Sequence, residues 1–148
     1  MKKKRKIIIT SFVAAIIIFC IIGRILLKEK TLTERAALIS ELSVPDNVKV
    51  VKHDEFWWIS NGYLYLEIQL EKEQLNKIVD EAKTKKEYLL GDKIENLNWY
   101  LSGKYVLPKD LSKVYYWYEK SKSSDPLRYT IVLIDMVSGK LIVYVSDS

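Results

Sequence analysis

The sequence predicts an α+β protein: an N-terminal transmembrane helix followed by an antiparallel sheet, in the order β-β-α-(α)-β-β-β, covered on one face by helix. Three observations carry this. A long apolar run follows a basic start; a period-2 pattern at 63–70 gives way to a period-3.6 pattern at 71–86; and three β-branched or aromatic runs separated by turn residues close the chain. At 148 residues there is room for one folded domain after the apolar run.

Lys2, Lys3, Lys4, Arg5 and Lys6 form a basic segment over residues 1–6, expected in the cytoplasm. Ile7 to Ile22 then hold eight Ile, two Phe and one Val. At roughly −0.3 to −0.6 kcal/mol each, these eleven contribute about −3 to −7 kcal/mol towards insertion, which outweighs the cost of Arg24 near the end of the span, where it can snorkel. Residues 7–27 are about 31 Å long as a helix, which matches a hydrocarbon core of about 30 Å. Cleavage as a signal peptide needs small residues that Gly23-Arg24-Ile25-Leu26-Leu27 does not supply, and Cys20 follows the bulky Phe19 rather than the small residue a lipoprotein signal requires. An uncleaved anchor is the expectation, with the bilayer as its partner and the C-terminal domain outside the cell membrane. Arg24, Lys28, Lys30 and Arg35 weaken that orientation bias.

Residues 28–44 read as a stalk or as the first helix of the domain, because Thr31-Leu32-Thr33-Glu34 is a capping box leading into Ala36, Ala37, Leu38, Ile39 and Leu42, with Pro45 as the stop. The extracytoplasmic α+β domain is assigned to residues 45–148. Asn61-Gly62 predicts a two-residue type I′ turn between an arm at 48–59 and an arm at 63–70. In the second arm Leu64, Leu66, Ile68 and Leu70 share one face, and Tyr63, Tyr65, Glu67 and Gln69 the other. Leu75, Ile78, Val79 and Ala82 then give an amphipathic helix that can cover the aliphatic face. Residues 87–112 are hard to decipher beyond a helical turn around Ile94, Leu97 and Trp99. Strands follow at 114–118, 129–134 and 141–145, joined by a loose loop around Ser123-Ser124-Asp125-Pro126 and a tight turn at Ser138-Gly139-Lys140.

The formal charge of +5 belongs to the membrane flank: from Ile25 onward 18 bases meet 19 acids. Nucleic acid is therefore not an expected partner, since counterion release needs positive charge in the folded part. Of the 24 bases 20 are Lys, which with abundant Ile fits an AT-rich bacterial genome. Cys20 is the sole cysteine, so the domain has no internal disulfide and no Cys-based zinc site. His53, the sole histidine, reads as an exposed polar break in the first arm rather than a general base or a metal ligand. Glu67, Glu119 and Asp135 read as solvated strand-edge carboxylates rather than a hydrolytic pair. With no Gly-x-Ser-x-Gly elbow and no phosphate loop, no catalytic residue, metal ligand or cofactor is assigned.

Aromatic clusters are the distinctive feature, at Trp57-Trp58, Trp99-Tyr100 and 115–118. Tyr116 and Tyr118 alternate with Tyr115 and Trp117, so rings point to both sheet faces and one helix cannot bury them all. Either residues 87–112 or the stalk helix at 28–44 covers the second face, as the tolerance of strand Tyr for partial exposure favours, or that face binds an envelope protein or glycan through Trp57, Tyr63, Tyr65, Tyr115 and Trp117.

The aromatic run into Asn61-Gly62-Tyr63, the following helix and the terminal Ile134-Asp135-Met136-Val137-Ser138-Gly139-Lys140-Leu141 hairpin resemble small membrane-anchored or lipoprotein-like proteins of low-GC Gram-positive bacteria. This resemblance implies origin and topology and carries no activity. The final hairpin is also similar to the Asp-x-x-x-Gly-Lys turn of PepSY-type domains, which are linked with envelope protease regulation. The expected function is a non-enzymatic, extracytoplasmic protein-interaction module held at the membrane; the alternatives are an envelope hydrolase acting on cell-wall material and an immunity-type protein.

Overall fold

The computed structural model describes residues 31–58, 61–93, 101, 103–120 and 128–147. The anticipated span at 7–27, the helical turn around Ile94, Leu97 and Trp99, and the loop at 123–126 lie outside them. Among the described residues no helix is long and apolar enough to cross a membrane.

Helix α1 is Leu32–Ser40, begun by the expected capping box: the Thr31 hydroxyl accepts from the Glu34 N–H, and the Glu34 carboxylate accepts from the Thr31 N–H. It ends at Glu41 in the left-handed region, φ 54°. Ala36 is buried in the main core and Leu32, Ala37 and Ile39 pack against it, so this helix packs on the sheet. Strands β1 (Lys49–Trp58) and β2 (Asn61–Gln69) form a hairpin, and helix α2 (Lys72–Thr84) buries Leu75, Ile78, Val79 and Ala82 as the sequence predicts. Two short elements come next, strand β3 (Leu89–Leu90) and a 3-10 turn at Gly91–Lys93, and a second 3-10 turn at Leu111–Lys113 leads into the last three strands. These are β4 (Val114–Lys120), β5 (Tyr129–Asp135) and β6 (Lys140–Asp147).

All pairings are antiparallel, in the order β1-β2-β6-β5-β4-β3. The predicted antiparallel α+β sheet is present, and it has two buried faces. Leu64, Leu66, Ile68, Val132, Ile134, Leu141 and Val143 face α1 and α2. Tyr65, Tyr116, Tyr129, Ile131, Leu133, Ile142 and Tyr144 face the opposite way and pack with Leu101 and Tyr105, so part of the 87–112 segment covers the second face.

Two local expectations are corrected. Asn61 and Gly62 are not the hairpin turn: they are the first residues of β2, paired with Trp58 and Trp57, and neither has a positive φ. Nor does His53 break the first arm, which runs as one strand with a single bulge between Val50 and Lys52; His53 pairs with Leu66 inside it. A hairpin glycine with positive φ is Gly139, φ 70°, whose N–H donates to the Asp135 carbonyl and closes the β5–β6 turn.

Candidate functional site

Strand parity sorts the aromatic residues. The register Trp57↔Gly62 and Glu55↔Leu64 puts His53, Glu55 and Trp57 on the helix-covered face, together with Tyr115 and Trp117. Tyr63 and Tyr65 lie on the other face. The five residues singled out in the sequence therefore do not form one surface. Tyr65 is fully buried and offers no area to a partner. Tyr63 joins a row of rings across the sheet, Phe56–Tyr63–Tyr144–Tyr129–Tyr118, with centroids 5.8 to 6.4 Å apart. Most of the second face is thus satisfied by aromatic self-packing.

Trp57 and Trp117 are brought together. Both line a groove of about 330 Å³ beside α1, with Leu38 and Ile39 on one wall and Leu64 and Val145 among its lining residues. Leu38 stands exposed at its mouth, and the carboxylates of Glu41 and Glu119 lie along it. Trp117 is steadied by the Tyr88 ring, 6.1 Å away, and the Tyr88 phenol donates to the Ser40 carbonyl at the end of α1. Trp57 is steadied by Glu55, whose Oε1 accepts from its Nε1.

Glu55 is the hub of this corner. Arg35 of α1 grips it with its two terminal guanidinium nitrogens, Nη2 donating to Oε1 at 2.8 Å and Nη1 to Oε2 at 2.9 Å, and His53 Nε2 lies 3.0 Å from Oε2. The Arg35 bonds, opposed by partial burial and assisted by His53 and Trp57, hold the Glu55 carboxyl down to about 2 from an ordinary 4.5. Because the folded value is the lower one, the clasp contributes its full stability above pH 4.5 and loses it as pH falls towards 2. Following the Glu55 carboxyl carbon by NMR, we expect a midpoint near 2; in Arg35→Ala it should rise towards 4.5, and an unchanged midpoint would show that Arg35 does not hold it.

On the second face lies a polar cluster that the sequence did not reveal. Glu67 and Asp135, expected to be solvated, are 8% and 2% exposed. Glu67 accepts from the Tyr65 phenol at 3.0 Å and pairs with Lys140. Asp135 accepts from the Tyr105 phenol at 2.6 Å, the Ser138 hydroxyl at 2.8 Å and the Val137 and Ser138 N–H groups. Burial pushes the Asp135 carboxyl up, but these four bonds outweigh it and hold the carboxyl below its usual range. Burial, reinforced by the neighbouring carboxylates, pushes both phenols well up, so at neutral pH they stay protonated donors. The cleft above, about 430 Å³, is rimmed by exposed Val106 and Val137. Glu119, by contrast, is exposed as the sequence suggests.

The cations around this cluster are paired: Lys140 answers Glu67, and Lys104 is paired with Asp54 at 2.7 Å while lying 4.0 Å over the Tyr63 ring. Among the described residues no group of three or more His, Cys, Asp or Glu side chains gathers to hold a metal. No family model, curated protein or solved structure matches the chain.

Proposed function

We propose that the protein is a non-enzymatic interaction module, anchored in the cell membrane by residues 7–27 and displayed outside it, that receives an apolar side chain of a partner protein in the groove between Trp57 and Trp117. The observation that supports it is the convergence of two tryptophans from β1 and β4, with three strands between them, on one open groove of about 330 Å³, a size that accommodates a side-chain anchor. Both rings are held in place by neighbours, Trp57 by Glu55 and Trp117 by Tyr88, so little conformational entropy is lost on docking. Glu119 along the groove favours a basic residue beside the inserted side chain, whereas Glu41 is already paired with Lys85. The anchor rests on the apolar run and its basic flank.

The test is a photo-crosslinking residue at Leu38 of the full-length protein in intact cells. A discrete protein adduct is expected, and Trp57→Ala should weaken its formation about tenfold, the loss typical of about 1.4 kcal/mol at an aromatic anchor. Equal adduct yield from Trp57→Ala, or no adduct at all, would remove the groove from consideration. Trp57→Ala is preferred to Trp117→Ala because Trp117 is also part of the core.

A further inference from the structure

One edge of the sheet is left open by the fold. β1 is an outermost strand, and among the described residues no strand pairs along its outer side, whereas the opposite edge ends in the two-residue β3. An open edge presents a row of backbone donors and acceptors to any second strand, and proteins blunt it with lysines, prolines and bulges. β1 uses such devices in its first half: Lys49, Lys52 and the bulge between Val50 and Lys52. From His53 to Trp58 the pairing with β2 is unbroken, lysine and proline are absent, and Phe56 and Trp58 are 55% and 67% exposed. The carboxylates of this half are neutralised within the chain, Asp54 by Lys104 and Glu55 by Arg35. An edge of this kind matches another strand that is uncharged and aromatic, and a second copy of itself meets that description.

Symmetry restricts the register. Two copies of one edge strand pair antiparallel about a two-fold axis normal to the sheet, and residues directly opposite each other share a face. The axis must therefore pass beside a residue that meets its own copy. A centre at Asp54 or Glu55 sets like charges opposite each other, and a centre at His53 draws the bulge at Val51 into the pairing. A centre at Trp57 leaves the strand, which ends at Trp58, little to overlap. A centre at Phe56 avoids all of these. It sets Phe56 against its copy as an aromatic cross-strand pair, Glu55 against Trp57 and Asp54 against Trp58.

We infer that two copies of this protein associate through β1, antiparallel and centred on Phe56, so that the sheet continues across the junction. The pairing stands apart from the groove and from the anchor. The Trp57 ring lies against Gly62 of β2, inward from the edge, so a strand added outside β1 leaves the groove open. The overlap of residues 54–58 is small beside the roughly 20–30 residues a side of a standard interface, so the association is weak and depends on concentration.

The experiment uses the full-length protein in detergent micelles, with its sole cysteine, Cys20, changed to serine. Cysteines placed at position 56 of the two copies would have Cα atoms about 4.5–5.5 Å apart, within disulfide reach, whereas those at position 58 would be about 14 Å apart. Under mild oxidation Phe56→Cys is expected to form a covalent dimer at least tenfold faster than Trp58→Cys. A mixture of Asp54→Cys and Trp58→Cys should form the mixed dimer faster than either variant alone. Light scattering without added cysteines should show the protein mass doubling as concentration rises. Phe56→Lys, which sets two ammonium groups against each other at the axis, should keep the single-chain mass while its far-ultraviolet circular dichroism is retained. A wild type that stays a single chain at every concentration overturns the inference, as does a position-56 disulfide that forms no faster than one at position 58. A dimer that a folded Phe56→Lys leaves intact is held together elsewhere and overturns it too. Should Phe56→Lys fail to fold, the wild-type mass and the cysteine rates decide.

Discussion

Replacing Asp135 with alanine is expected to cost about 3 kcal/mol and to lower the melting temperature by about 10 °C. The carboxylate is almost wholly buried and accepts four hydrogen bonds, two from side-chain hydroxyls and two from the backbone of the β5–β6 turn. Deleting it leaves the Tyr105 phenol and two turn amides short of an acceptor, and an orphaned buried donor costs about 1–3 kcal/mol on its own. The Ser138 hydroxyl, 3.0 Å from the phenol, recovers part of that loss, which is why the total stays below the sum of the bonds. Asp135→Asn keeps an acceptor for the turn amides and should lose about half as much. The two variants also differ from wild type in acid. Since the folded Asp135 titrates below its ordinary value of 3.8, its stabilisation is complete above that pH and disappears as pH falls through the lower folded value. In Asp135→Asn this part of the acid dependence should be missing. Denaturant midpoints at pH 7 and across the acid range check both statements, and a cost under about 0.5 kcal/mol, as for an ordinary surface site, would contradict the buried network.

The parts of this fold that were legible in the sequence are those in which a single element carries its own periodicity. Leu64, Leu66 and Ile68 announced β2, and Leu75, Ile78, Val79 and Ala82 announced α2, because each set marks one face at the spacing of its element. The capping box of α1 could be read because its atoms lie within four residues. What escaped depends on segments far apart in the chain. Glu67 is solvated or buried according to whether Tyr105 and its neighbours lie over that sheet face, and no local pattern in 63–70 records this. Strand β3 is two residues long, too short for any period, and exists because Leu89 and Leu90 can pair with Tyr116 and Tyr115. The candidate groove was half visible: strand 114–118 showed rings on both faces, but only the pairing register reveals that Trp57 belongs with Trp117 and not with Tyr63.

Gly62→Ala is expected to be costly at a position where alanine has no backbone difficulty. Gly62 lies in β2 without a positive φ, so its requirement is space. A methyl group there would sit 2.3 Å from Cε3 of the Trp57 ring and 2.4 Å from the Phe56 carbonyl oxygen. Neither neighbour can yield cheaply, the indole because Glu55 holds its Nε1 and the carbonyl because it belongs to the paired strand. Overpacking of this kind costs about 1–3 kcal/mol, and we expect the upper part of that range. The methyl group should push the ring out of the groove, so near-ultraviolet circular dichroism should change and the Leu38 crosslink should weaken even where the domain remains folded. A double-mutant cycle separates the two clashes. If the ring is the main obstacle, Gly62→Ala will cost at least 1 kcal/mol less in a Trp57→Ala background. An equal cost in both backgrounds would assign the glycine to the carbonyl alone and would detach it from the groove. The dipeptide that reads as turn chemistry would then owe its glycine to strand packing, with no bearing on binding; the expected coupling instead makes Gly62 the residue that lets Trp57 lie flat enough to form a wall.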